Sequence, residues 1–298
     1  MKRPNLALLI VLSFLAGLLA GTRLEKVAFG KANRYTVPLD SAAGAMRPLL
    51  RQQNKLSVSK NLTPVELYLD LMKSALMDLI YENNPTVFSL RVSGRDRGGR
   101  GLTLIGMKRL DNIALLMNDV LQRHIPGDFI EAGAWRGGAT IFMRAVLKAQ
   151  GITDRRVWVA DSFEGLPPPD EKAYPADKGM ALNKDNLFAV SLQDVQDNFA
   201  RFGLLDAQVR FLKGWFKDTL PNAPIDKLAV LRVDADMYES TMEALVSLYP
   251  KLSPGGYVII DDFGCFEACA KAVKDFREKH GIRAPIISID WTGAYWQK

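Results

Sequence analysis

Five short apolar runs rich in β-branched residues do most to limit what this chain can become: Asp128–Ala132, Arg156–Ala160, Val209–Leu212, Leu228–Val233 and Tyr257–Ile260. Helical periodicity marks Asp111–Arg123, Gly138–Gln150, Val190–Phe202 and Ser240–Tyr249 around and between them. Strand alternating with helix predicts an α/β fold, a doubly wound and mostly parallel sheet. In such sheets ligands bind beyond the carboxyl ends of the strands, so the residues there are the first candidates for chemistry.

The first strand runs into Glu131-Ala-Gly-Ala-Trp-Arg-Gly-Gly138 and then a helix. Glycines let the backbone turn sharply and approach a ligand. The spacing is not the G-x-G-x-x-G of dinucleotide binders, which disfavours a pyrophosphate cradle and an NAD-dependent oxidoreductase. Glu131, an acid leading into the glycines, suits the cationic amino-acid end of S-adenosylmethionine, although a plain tight turn explains the glycines equally well. Asp161 ends the second strand, where an acid can grip a ribose diol. Trp215 could stack on an adenine or simply pack in the core.

The strongest signal is acid on two strands. The fourth ends in Asp234-Ala-Asp236 and the fifth in Asp261-Asp262. Carboxylates gathered in one crevice repel one another unless a cation compensates. All-oxygen ligation favours Mg²⁺ over zinc or copper. A bound divalent ion could hold an acceptor's hydroxyl oxygens, and a spare carboxylate such as Asp236 could take the proton.

Charge is divided unevenly. Residues 1–60 carry ten Lys/Arg against Glu25 and Asp40, a balance of +8, and the remainder of the 298 residues sums to −2. The body is slightly acidic, so nucleic acid is not an expected partner. Leu6–Thr22 is an uncharged, Leu-rich run of roughly 25 Å as a helix. It reads as a retained anchor or a cleaved signal. The basic residues that follow it favour an anchor with the rest of the chain on the cytoplasmic side of the membrane. The expected organisation is an anchor over 1–24, a basic linker over 25–60 and a catalytic domain over 61–298, with an N-terminal helical cap or lid over 61–110. Thr63-Pro64 announces the first helix of that cap, which keeps an apolar face through Tyr81. The stretch 93–101 reads as a solvated basic loop or an active-site lid. Cys265 and Cys269 read as packed thiols on one helix, and His124 and His280 as helix-end residues.

These motifs resemble the macrocin O-methyltransferase (TylF/MycF-like) family. The resemblance runs from about Leu67 to Trp296 and is carried by TLIGMKRLDN (103–112), GDFIEAGAWRGGATIFMRAVL (127–147), VWVADSFEGLP (157–167), NFARFGLLDAQVRFLKGWFKDTLP (198–221) and LRVDADMYESTMEALVSLYPKLSPGGYVIIDDFG (231–264). It implies a class I, Rossmann-like methyltransferase, dependent on S-adenosylmethionine and Mg²⁺, that methylates a hydroxyl of a sugar on a glycoside. Glu131, Gly133 and Asp161 would then contact the donor, with Ser162 beside it and Trp215 by the adenine. Asp234, Asp261 and Asp262 would ligate Mg²⁺. Asp236 would be the general base, a role Asp234 could share. The N-terminal anchor lies outside the family's enzyme domain, and Asn83–Gly101 is glycine-rich where the family builds part of its acceptor pocket. A glycan or glycolipid acceptor at the membrane is the expectation the anchor adds, and a homo-oligomer is possible. A catechol- or phenol-type methyltransferase and a non-catalytic donor-binding protein are the alternatives; the second has no need of four strand-end acids.

Overall fold

The computed structural model describes residues 62–97 and 99–298. Seven strands form one sheet in the order β3-β2-β1-β4-β5-β7-β6. They are β1 Asp128–Ala132, β2 Val157–Asp161, β3 Val209–Lys213, β4 Leu228–Val233, β5 Leu252–Ile260, β6 Ile287–Ser288 and β7 Ala294–Gln297. The first five pair in parallel, and β7 runs antiparallel to both β5 and β6. This is the doubly wound α/β fold expected. The strand order reverses between β1 and β4, which opens a crevice at their carboxyl ends.

Eight helices are described: α1 Pro64–Leu76, α2 Pro85–Val92, α3 Met107–Gln122, α4 Gly138–Ala149, α5 Leu192–Arg201, α6 Phe216–Thr219, α7 Tyr238–Leu248 and α8 Glu267–Lys279. Alternation along the buried strands feeds two cores. Phe129, Val157, Val159, Val230 and Ile259 face α1, α3, α4 and α5, whereas Ile130, Trp158, Leu231 and Val258 face α7 and α8. Leu69, Met72 and Leu76 of α1 lie in the same core as the α4 side chains, so this part of the expected cap packs onto the body of the domain. A capping box starts α1: Glu66 N donates to Thr63 Oγ1 at 3.2 Å and Thr63 N donates to Glu66 Oε2 at 2.8 Å.

Three features differ from expectation for identifiable reasons. α2 carries no buried residue and hence no readable apolar stripe. It is held instead by Arg91, which pairs with Asp78, Glu82 and Asp96. β6 and β7 have two and four residues, too short for a periodic signal. The location at a cytoplasmic membrane is corrected: no helix among the described residues is long and apolar enough to cross a membrane. The anchor and linker, 1–24 and 25–60, lie outside the described residues.

Candidate active site

Parallel register places the acids. Glu131 sits opposite Arg232, and Arg232 sits opposite Ile259, two residues before Asp261. Side chains two apart share a sheet face. Glu131, Arg232, Asp234 and Asp261 therefore converge on the face that α3 covers.

Arg232 is fully buried at the centre of this group. Its Nη1 donates to Glu131 Oε1 at 2.5 Å and to Asp234 Oδ2 at 2.9 Å, and its Nη2 donates to Asp261 Oδ1. Arg109, brought in by α3 and 4% exposed, donates to the other oxygen of Asp261 and, at 3.0 Å, to Asp290. Two guanidiniums thus face four carboxylates. Neither arginine was singled out in the sequence, yet a charge inside the apolar run Leu-Ala-Val-Leu-Arg-Val was a readable signal, since buried charges are paired.

One ligand oxygen from each of Asp234, Asp236 and Asp262 lies within 4.8 Å of the others. Asp261, expected among the metal ligands, is outside this converging set and has both oxygens bonded to arginine. Asp236 stands in its place. Burial together with Asp234 and Asp261 pushes the Asp236 carboxyl up to about 8. Burial beside Asp236, Asp234 and Asp261 holds Asp262 above the ordinary range, and burial beside Asp261 holds Asp234 above it despite Arg232. Arg109 and Arg232 do not neutralise the group, and a divalent cation would offset part of the remaining charge.

The loops after β1 and β2 close the other side. Gly133 has φ +96°, and a Cβ there would stand 1.7 Å from the Asp234 carbonyl oxygen. Glycine is thus required to let the β1 turn lie against the β4 terminus. Asp161 accepts from Ala134 N at 2.7 Å and Trp135 N at 3.0 Å through Oδ2, and from Phe163 N at 2.8 Å through Oδ1. Its carboxylate clamps the glycine-rich turn to the end of β2. Ser162 shapes the next turn, donating to the Gly165 carbonyl at 2.6 Å. Gly214 N donates to the Asp161 carbonyl at 3.0 Å, which sets half-buried Trp215 beside the same strand end. Glu131 Oε2 is buried with no hydrogen-bond partner among the described residues. Trp135, Phe163 and Asp236, each following one of the three strands, have φ of 48°, 57° and 57°. Backbone strain of this kind gathers at functional sites.

The third wall comes from the chain's end. The turn between β6 and β7 supplies Asp290 and Thr292, whose hydroxyl donates to the Asp261 carbonyl at 2.9 Å. Beside it, the described residues of 93–97 and 99–101 are held by specific contacts: Arg136 donates to the Gly99 and Gly101 carbonyls at 2.9 and 2.8 Å, and Arg97 pairs with Asp185. One cysteine expectation is corrected. Cys269 is buried on α8, but Cys265 precedes that helix and is exposed, its Sγ 3.6 Å from Asp262 Oδ1. His124 and His280 follow the ends of α3 and α8.

This architecture is shared with a solved enzyme. The O-methyltransferase NovP is 49% identical, with a TM-score of 0.76, over 78% of this chain and 99% of that one. The chain therefore has the Rossmann-like methyltransferase fold. Residues 51–298 match the macrocin-O-methyltransferase (TylF) family, and the chain belongs to that family of O-methyltransferases. Among its relatives, an 8-demethyl-8-(2,3-dimethoxy-alpha-L-rhamnosyl)-tetracenomycin-C 4'-O-methyltransferase of Streptomyces olivaceus is 52% identical, over 78% of this chain and 92% of that protein. A mycinamicin III 3''-O-methyltransferase of Micromonospora griseorubida is 48% identical, over 79% and 98%.

Proposed function

We propose that this enzyme transfers a methyl group from S-adenosylmethionine to a hydroxyl of a sugar carried on a glycoside, with a divalent cation, Mg²⁺ by donor chemistry, at Asp234, Asp236 and Asp262. The observation that carries this reading is the convergence of those three carboxylates beside the β1 turn. Family membership supports the donor, and the rhamnosyl group in the name of the tetracenomycin relative supports a sugar acceptor.

The residues fit both groups. Three carboxylate oxygens suit a hard cation. The unpartnered Glu131 Oε2 offers a buried carboxyl oxygen to an ammonium group, and Trp215 beside Asp161 offers a flat apolar surface. S-adenosylmethionine would supply an activated methyl, and the cation would make the acceptor hydroxyl more acidic. Asp234 has one oxygen committed to Arg232, so it is the poorer base. Asp236 has no ion pair among the described residues and is the group to receive the acceptor's proton. Arg232 and Arg109 hold Glu131, Asp234 and Asp261 in place, and Asp161 fixes the turn against which the donor would lie. Orienting the two reactants in this crevice would supply much of the acceleration.

The test is calorimetric titration of S-adenosylhomocysteine into the whole protein with Mg²⁺ present, followed by methyl transfer from labelled donor to a panel of glycosides and catechols. Micromolar binding and label on glycosides alone support the reading. Transfer only to catechols, or no binding to folded protein, contradicts it.

A further inference from the structure

Trp291 is 41% exposed, in a molecule that buries Trp158 and Trp296 almost completely. Its exposure is not looseness. Nε1 donates to the Ser93 carbonyl at 2.9 Å, and the Arg95 guanidinium stacks 4.7 Å from the ring centroid. Arg109, the arginine that holds Asp261, lies 5.9 Å from the same ring. Arg95 has no carboxylate partner among the described residues, and its guanidinium engages this ring.

The position of that ring follows from topology. β6 is antiparallel to β7, and β7 is antiparallel to β5, so β6 runs the same way as the parallel strands. The turn leaving β6 therefore lies at the carboxyl edge of the sheet, the edge that carries the acids. Two contacts pin it there. Thr292 Oγ1 donates to the Asp261 carbonyl at 2.9 Å, and Gly264 N donates to the Thr292 carbonyl at 2.8 Å. At Gly264 a Cβ would stand 2.5 Å from the Trp291 carbonyl oxygen, so the turn is seated directly on the residues that follow Asp262.

Resting on the sugar-methylating reading above, we propose that Trp291 is the acceptor platform: the planar aglycone next to the methylated sugar stacks on its indole, which Ser93 and Arg95 hold rigid. An aromatic surface fixed before binding gains apolar contact without losing rotamer freedom. It lies one residue from a direct bond to Asp261, beside the carboxylates that would receive the sugar hydroxyls. Trp291 is thus a specificity-determining residue that acts on the acceptor and not on the donor.

The experiment compares calorimetric binding of methyl α-L-rhamnopyranoside and 4-nitrophenyl α-L-rhamnopyranoside to the full chain, with S-adenosylhomocysteine and Mg²⁺ present. The aryl glycoside is expected to bind about tenfold more tightly, the scale of one aromatic stack. The preference should vanish in Trp291→Ala and persist in Trp291→Phe, which keeps a ring but loses the bond to Ser93. S-Adenosylhomocysteine affinity reports whether each variant is folded. Equal affinities in the wild type, a preference that survives Trp291→Ala, or binding of neither glycoside while the donor product binds would overturn the platform and leave the methyltransferase reading standing. Folded wild type that fails to bind S-adenosylhomocysteine would overturn that reading, and the platform with it.

Discussion

Arg232 lies directly opposite Glu131 in the β1–β4 register, and its Nη1 donates to Glu131 Oε1 at 2.5 Å with both side chains buried. The same guanidinium also holds Asp234 and Asp261, so one side chain organises acids on three adjacent strands. Removing it leaves Glu131 and Asp234 without their cation, and Asp261 with Arg109 alone. Breaking a buried pair from one side costs about 3–5 kcal/mol. Arg232→Leu is expected to lose at least that much in urea unfolding of the whole protein. A loss below about 1 kcal/mol, the scale of a surface ion pair, would show that the hub is not what holds the strand ends together.

Gly133→Ala tests the seam between β1 and β4. The added Cβ overlaps the Asp234 carbonyl, and φ of +96° disfavours any L side chain. Strain at such a position exceeds the roughly 1 kcal/mol usual for a Gly→Ala change. Because the atom that must move belongs to Asp234, methyl transfer should fall further than donor binding. Equal losses in both would mean that the glycine serves the donor and not the seam.

Much of this was legible in the sequence, and particular residues show why the rest was not. The five parallel strands announced themselves because each is a buried run of β-branched residues, and the strand-end acids because carboxylates rarely follow consecutive strands without a purpose. What stayed hidden was partnership. Asp234, Asp236, Asp261 and Asp262 look interchangeable in sequence, but only the register with Glu131 and the reach of Arg109 from α3 show that Asp261 is spent on arginine. Gly133 and Asp161 were read as donor contacts. The structure adds that they seat the β1 turn on β4 and clamp it to β2. Trp291 sits in a turn between two strands too short to carry a pattern.

Asp236→Asn separates proton transfer from folding. Asparagine tolerates the left-handed backbone that Asp236 adopts, so the variant should fold and bind S-adenosylhomocysteine normally. Loss of a general base lowers turnover by about 10²–10⁴-fold. That fall, measured as kcat at saturating Mg²⁺ with KM for the donor unchanged, is the expected result. A kcat within about threefold of wild type would transfer the role to Asp234.

Cation binding should depend on pH. Without the ion, Asp236 holds its proton up to about 8, and a cation must displace it. Mg²⁺ affinity is therefore expected to rise with pH below 8, by about tenfold per unit for each proton released, and to level off above it. Affinity that is flat from pH 6 to 9 would mean that Asp236 is not displaced from its proton and takes no part in holding the ion.

The most direct measurement is the binding of Mn²⁺, as a paramagnetic stand-in for Mg²⁺, followed by electron paramagnetic resonance in the whole protein and in Asp262→Asn. Asp262 is 6% exposed and is the buried member of the three converging acids. One bound ion per chain, lost in the variant and displaced by Mg²⁺ in the wild type, is the predicted result. Unchanged binding in folded Asp262→Asn, or no bound ion in the wild type, would contradict the cation site on which the account of catalysis rests.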